Sequence, residues 1–461
     1  MKKSHKLLLL GAALTASMTF SAAAADFTGC ADALNQMGLF SGTDKGYELD
    51  RAPSRTEAAV MLVRLLGGEK EATEKNYTTP FTDVPGWASP YVGWLYENNL
   101  TSGTSATTFG SDDTCTAQMY ATFLLRSLGY QDSGDSVDFQ FNDAIKFAEE
   151  KGVADSANYN AENFLRDHVV AMSYTALSVQ PKDAAHDTLL DQLVADGAID
   201  SAKSADTKAT FSAFKEFGAL NEKMADITDM GMTMALDANV KLNGTDAMTM
   251  KMNMDVKAKM DMENLDKSQM SINGKGSVTM AEALGGDGKA EEQDMSAYYA
   301  DGKYYVKSGE DKIVMPMSFG DTLSAMDMTK MANSNMPIST FNNIKKNSDG
   351  SFSVAYDADT MNGIISKVLA STGMTEGVDV KLTKCDMTIT PKDDSIGSMK
   401  ADMDMSMTML GQTMDMTMVM DCAITETGDS VKVEAPTDLD TYKTMEDMLK
   451  DADKKDDSAD K

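Results

Sequence analysis

Apolar and polar positions follow two different rhythms in this chain, and the change falls near Phe211. Before it, between Phe27 and Gln180, three stretches share one plan: an apolar helix, a Gly-rich loop, then a second helix entered by a polar residue. The first passes Cys30, Leu34 and Leu39, crosses a loop from Gly42 to Pro53, and opens a helix at Ser54-Arg55-Thr56-Glu57 that runs to Leu66-Gly67. The second reads Phe81-Thr82-Asp83-Val84-Pro85, Trp87-Ala88, Tyr91 to Leu100, Gly103 and Phe109, and its helix runs from Thr116-Ala117-Gln118 to Leu128-Gly129. In the third, Phe139 to Gly152 and a loop to Phe164 lead into Leu165-Arg166-Asp167-His168 and a helix ending near Leu177. Arg55 to Gly67 overlays Ala117 to Gly129 without a gap. A short helix pair cannot bury its own apolar stripe, so three copies are expected to pack around a pseudo-threefold axis and share one core.

Beyond Phe211 the period becomes two. All but six of the 39 methionines lie there, most of them on every second residue. Met230, Met232, Met234, Leu236, Ala238 and Val240 share one parity, with Thr233, Asp237, Asn239 and Lys241 on the other. Met248 to Met262 repeats the alternation, as do Met399 to Met409 and Met414 to Ile424. Strict alternation is a strand with one dry and one wet face, whereas a helix would scatter these methionines around its whole circumference. Turns are expected at Asn243-Gly244, Asn273-Gly274, Asp301-Gly302, Asp349-Gly350 and Gly411-Gln412. Antiparallel strands up to about 50 Å long must curl, and a sheet with one apolar face needs a cover. Helices are expected to supply it at Ala209 to Ile227, Phe319 to Met331 and Asp359 to Ser371.

The three N-terminal stretches resemble the S-layer homology (SLH) family, whose repeats read Phe-x-Asp-Val, then Trp-Ala, and close on a Thr-Arg-Ala-Glu helix start. The likeness is close in the first two repeats and weakest in the third. It implies that this region holds an exported protein to an acidic secondary polymer linked to peptidoglycan, at the surface of a Gram-positive-type bacterium. Arg55 and Arg166 match the helix-start arginine of that motif, while the second repeat has Ala117 there and Met119 where the first has Glu57. The polymer-contacting residues it implies are Arg55, Arg166, Glu57, Asp83 and Trp87. The chemistry of the residues points the same way, because all five arginines lie between positions 51 and 166 and guanidinium suits bidentate capture of a carboxylate such as a pyruvyl ketal. The plainer reading is that these arginines pair with Asp50, Glu57 or Asp167 and cap helices, and that Trp87 and Trp94 pack in the repeat core. The methionine-rich half resembles the lipoprotein-carrier and mycobacterial-lipoprotein half-barrels of exported bacterial proteins.

The expected fold is therefore multidomain: an all-α, three-repeat pseudo-trimer, then an α+β domain with a curved antiparallel sheet covered by helices. Its parts are an export signal (1–25), repeats at 26–68, 79–130 and 138–199, a linker (200–208), the methionine-rich half-barrel (209–449) and a disordered charged tail (450–461). The export signal rests on Lys2, Lys3 and Lys6 before the apolar run Leu7 to Ala13, with small residues Ala22 to Ala25 for cleavage. Phe27-Thr28-Gly29-Cys30 read as a lipidation box is the alternative. No later stretch approaches the roughly 18 apolar residues that span a bilayer.

Removing those three lysines takes the formal charge from −30 to about −33, which excludes nucleic acid as a partner. It also means that anchoring to an acidic polymer must rely on local arginines. The four cysteines allow pairs Cys30–Cys115 and Cys385–Cys422, or four free thiols. Three readings of the methionine face stand side by side: an ordinary core, a pocket for a lipid or other apolar small molecule, and soft-metal binding. The pocket candidates are Met232, Met234, Met250, Met252, Met254, Met405, Met407, Met416 and Met418. No nucleophile, metal-protease or phosphate-loop motif accompanies His168 or His186, so neither a cofactor nor enzyme activity is expected.

Overall fold

The computed structural model describes residues 27–182, 185–282, 286–316, 318, 336–358, 361–362, 378–409 and 412–444. The expected export signal, the turn at Gly411, the helix at Phe319 to Met331, most of that at Asp359 to Ser371 and the charged tail lie outside them. The described chain forms two units, a helical one of residues 27–215 with 336–345, and a sheet unit made of the rest.

The helical unit contains α1 (Thr28–Gln36), α2 (Arg55–Leu65), α3 (Glu69–Lys75), α4 (Ser89–Glu97), α5 (Ala117–Ser127), α6 (Ala144–Glu150), α7 (Arg166–Ser178) and α8 (Leu189–Ala195). Their starts are written in local chemistry. Ser54 Oγ accepts from the Glu57 N–H at 3.1 Å while Glu57 Oε2 accepts from the Ser54 N–H at 2.8 Å, a reciprocal box that satisfies two otherwise orphaned donors of α2. Thr116 Oγ1 caps α5 through the Met119 N–H at 3.2 Å. At α7 the same place is taken by His168, whose Nδ1 accepts from the Leu165 N–H at 2.9 Å.

The second helices α2, α5 and α7 touch one another in pairs, and each carries the first helix of another stretch: α4 lies on α2, α6 on α5 and α1 on α7. Their facing side chains are fully enclosed, with Leu62, Leu124, Leu125, Val169 and Val170 at 0% exposure. Tyr120 and Ser173 share a 2.5 Å hydrogen bond between α5 and α7. The same core takes in Ile338 from far along the chain, and Thr175 Oγ1 donates to Ser339 Oγ at 3.1 Å. This corrects the sequence-based boundary, which left the whole of 209–449 to the methionine-rich domain. The buried tetrapeptide Pro337 to Thr340, half of it polar and set in a strand-rich region, carries no local mark of the core it joins.

Helix α9 (Ala205–Ala225) starts inside the segment expected to be a linker. The sheet unit then holds β1 (Asp229–Leu242), β2 (Thr245–Lys259), β3 (Gln269–Met280), β4 (Ala290–Ala300), β5 (Lys303–Ser308) and β6 (Asp311–Pro316). The same sheet has β7 (Phe341–Lys346), β8 (Phe352–Tyr356), β9 (Val378–Lys392), β10 (Ser395–Met409) and β11 (Gln412–Thr427). The strand order is β6-β5-β4-β3-β2-β1-β11-β10-β9-β8-β7, two meanders that run outward from the central β1–β11 pair.

Hairpins turn at Asn243-Gly244 and Asp301-Gly302, where both residues of each pair have positive φ, as a two-residue turn of this hand requires. Asn273-Gly274 is different. It lies inside β3, opposite Asp255 and Met254, and a Cβ on Gly274 would stand 2.1 Å from the Asn253 carbonyl oxygen. Gly274 therefore marks a close approach of two strands, which in sequence looks the same as a turn.

Candidate functional site

The helix-start arginines sit where one stretch meets the loop of another. The Arg55 N–H donates to the Asp113 carbonyl at 2.8 Å, Cys115 N–H to the Pro53 carbonyl at 2.9 Å, and Thr56 Oγ1 to the Ser111 carbonyl at 2.9 Å. These bonds stitch the start of α2 to the loop 109–115. The loop is shaped by Asp83, whose carboxylate accepts from the N–H groups of Phe109 (2.7 Å), Gly110 (2.7 Å) and Ser111 (3.1 Å). Those bonds hold its pKa below the ordinary aspartate value against a partial desolvation. Asp83 thus builds the loop with the carboxylate that the resemblance assigns to polymer contact.

Above this loop the Arg55 guanidinium lies 4.9 Å from the Phe109 ring centroid and 5.2 Å from that of Phe123. The residue is 7% exposed, and its Nε is buried with no acceptor among the described residues. Burial lowers its pKa from the ordinary arginine value, yet guanidinium remains charged. Ser111, on the same loop, also has a buried hydroxyl without a partner. Buried donors in native proteins are almost always paired, and an unpaired one costs about 1–3 kcal/mol. A cation between two aromatic faces with an unfilled donor, bonded through its backbone to a loop that also carries an unpartnered hydroxyl, is a seat for an anionic oxygen.

The equivalent seat at Arg166 is already filled. Arg166 Nε donates to the Tyr47 carbonyl at 3.1 Å, and Nη1 approaches Met61 Sδ at 3.6 Å. Glu57 does not face a ligand there either, because Arg51 takes both its oxygens at 2.9 and 2.6 Å and also reaches Glu48 at 3.3 Å. In the remaining stretch Ala117 offers no charge, and Gln118 Nε2 donates to the Phe141 carbonyl. The structure therefore places Arg55 and Asp83 around one loop, and Arg166 and Glu57 around another. Trp87 is not core as the plainer reading had it. It is 60% exposed, whereas Trp94 is 8% exposed and donates from Nε1 to Glu71 Oε2 at 2.9 Å. Ser111 was missed from sequence. The signal was there: on the overlay of loops it stands where the first stretch has Leu49.

In the sheet unit, the nine methionine candidates share one face. Across the strands Met252, Leu236, Met420 and Ala401 form one row, and Met250, Ala238, Met418 and Met403 the next. Met250 and Met416 are buried, and the other seven are half-buried. From the second half of α9, Phe217 packs on Phe352 of β8, ring centroids 6.3 Å apart. The opposite face is wet and carries pairs such as Lys251–Asp237 at 3.0 Å and Lys384–Asp402 at 2.6 Å. None of the four cysteines is in a disulfide. Pairing of Cys385 with Cys422 is excluded by topology, because β10 lies between their strands and neighbouring strands are about 4.8 Å apart.

Comparison with known proteins agrees with the geometry of the loop. Residues 80–116, from just before Asp83 to the cap of α5, match the S-layer homology domain. That domain associates the chain with the cell surface. An endoglucanase of Bacillus sp. (strain KSM-635) is 34% identical over 115 residues, or 22% of this chain, and the match spans 12% of that enzyme's length. Among solved structures, LprF from Mycobacterium bovis aligns over 49% of this chain and 97% of its own at 13% identity, with a TM-score of 0.25. A LolA superfamily protein from Nitrosomonas europaea aligns over 47% of this chain and 96% of its own at 8% identity, with a TM-score of 0.15. Among the described residues no helix is long and apolar enough to cross a membrane.

Proposed function

We propose that the helical unit is a three-repeat S-layer homology pseudo-trimer that anchors the chain to an acidic secondary polymer of a Gram-positive-type cell wall, and that it does so through the Arg55 seat alone. The observation that carries this reading is the buried Arg55 Nε without an acceptor, together with the unpartnered Ser111 hydroxyl on the loop to which the start of α2 is bonded. The cyclic packing of first on second helices supports the pseudo-threefold arrangement. A strongly acidic chain gains little from long-range attraction to an acidic polymer, so one close-fitting guanidinium must carry the recognition.

Purified wall sacculi should pull down the full-length protein, and Arg55→Ala should lower the affinity by about 100-fold, the size expected when a charged hydrogen-bond partner is lost. Arg166→Ala should retain binding wherever the fold is retained. Equal binding of wild type and Arg55→Ala, or undiminished binding to sacculi stripped of the acidic polymer, would sink the reading.

We read the chain as a binding protein rather than an enzyme. His168 is committed to capping α7, and burial brings its pKa down to about 4, so it is neutral and occupied. The sheet unit is read as a half-barrel that holds a lipid or similar apolar molecule. The half-buried state of seven methionines on one face favours this, since adaptable thioethers left partly open suit varied guests. Native mass spectrometry of the full-length protein should show a bound lipid. A clean protein mass, with no uptake of a fluorescent fatty acid, would return these methionines to ordinary core packing.

A further inference from the structure

Register on the apolar face lines up sulfur in a way the sequence does not display. Cys422 of β11 pairs across to Met234 of β1 on one side and to Met399 of β10 on the other, and Met254 of β2 lies beyond Met234. Along a single strand, alternate methionines are about 6–7 Å apart, which is loose for sharing an ion. Directly opposite residues on neighbouring strands have Cβ atoms about 4.5–5.5 Å apart. Two unbranched thioether arms that flank a short thiol arm from both sides can therefore bring three sulfurs to one point. Cys422 is a free thiol, and Cys422, Met234 and Met399 are all half-buried, so the row is neither sealed nor fully open to water.

We propose that Cys422, Met234 and Met399 form a trigonal site for one copper(I) ion. Thiolate and thioether are soft donors that select copper(I). Further along the same row stand Gly274 next to Met254, and Ile389 next to Met399, so the row supplies neither an oxygen nor an imidazole. Zinc, which prefers four ligands and carries two charges, would keep a net positive charge in an apolar setting. Copper(I) balances the charge. The thiol releases its proton to solvent, the thiolate and two thioethers donate lone pairs to the metal, and the site ends neutral with no change of oxidation state.

Cys385 supplies the internal control. It is buried and pairs with Met403, with Met418 beyond, but as the terminal sulfur of its row it has a methionine directly opposite on one side only.

The proposal concerns the sheet unit and is independent of wall anchoring. Its test is anaerobic titration of the reduced full-length protein with copper(I) in competition with bicinchoninate, read alongside the ultraviolet thiolate-to-copper band. Wild type should take up one equivalent with that band. Cys422→Ser should lose the band and weaken uptake by about 100-fold or more, Met234→Leu and Met399→Leu should each weaken it by about tenfold, and Cys385→Ser should leave it unchanged. The leucine variants preserve apolar volume, so a weakened uptake in them is a ligand effect. Undiminished uptake in Cys422→Ser, loss only in Cys385→Ser, or wild-type uptake without the band would overturn the proposal.

Discussion

Gly67→Ala is expected to destabilise the helical unit by about 3 kcal/mol, and Gly129→Ala, at the matching position of the next stretch, by only about 1 kcal/mol. Both glycines follow Leu at the end of a second helix, and both are left-handed, with φ of 69° and 88°. Their closing bonds also match. The Gly67 N–H donates to the Arg64 carbonyl and Gly68 to Val63, while Gly129 donates to Arg126 and Tyr130 to Leu125. The left-handed backbone alone costs an alanine about 1 kcal/mol at either site.

What differs is the neighbour. A Cβ on Gly67 would stand 2.4 Å from the Ala198 carbonyl oxygen, a backbone atom that cannot turn aside, whereas the nearest atom to one on Gly129 is Lys182 Cβ at 3.6 Å. The two tryptophans, Trp87 and Trp94, lie in the helical unit, so denaturant unfolding followed by their fluorescence reports this unit within the whole chain. Equal losses in the two variants would show that Ala198 moves freely and that the conformational term acts alone.

The second large effect is in pH. Folded His168 stays neutral down to about pH 4 because burial penalises the imidazolium, whereas in the unfolded chain it takes a proton near its ordinary 6.5. Between those values the unfolded state binds the extra proton, so stability falls as pH falls through the window from 6.5 to 4 and this contribution levels off below it. A separation of that size corresponds to about 3 kcal/mol. Carboxylates such as Glu57 and Asp83, whose pKa values are lowered in the folded state, add their own losses in acid, so the comparison must be between variants. His168→Gln keeps an acceptor for the Leu165 N–H and removes the titration. The mutant should unfold at the same denaturant concentration as wild type near pH 7.5 and at a clearly higher one near pH 4.5. Parallel pH profiles would mean that the imidazole charges inside the fold.

A large part of this protein is legible along the chain because it is encoded over a few residues. Ser54 and Glu57 write the start of α2, Thr116 that of α5, and glycine after leucine the ends of both. Strict alternation gives β1, β2, β10 and β11 and assigns each methionine to the dry face, since side-chain parity is a property of the strand itself. The helical N-terminal region followed by a large antiparallel sheet could be read in this way. Asn273-Gly274 could not, because a glycine that admits a neighbouring strand and one that turns the chain have the same local form.

Long-range pairing decided the rest. Arg55 and Arg166 occupy the same place in their repeats, yet the loop that meets Arg166 offers the Tyr47 carbonyl, and the loop that meets Arg55 offers an aromatic ring and no acceptor for its Nε. Ile338 joins a helical core more than a hundred residues behind it. Cys422 looks isolated in the sequence, and only the register of β1, β11 and β10 sets it between two methionines. Periodicity and capping act within one or two turns or pleats, so the sequence carries them openly. Which partner stands opposite a given residue depends on loops closing over long separations, and that is settled only when the whole chain packs.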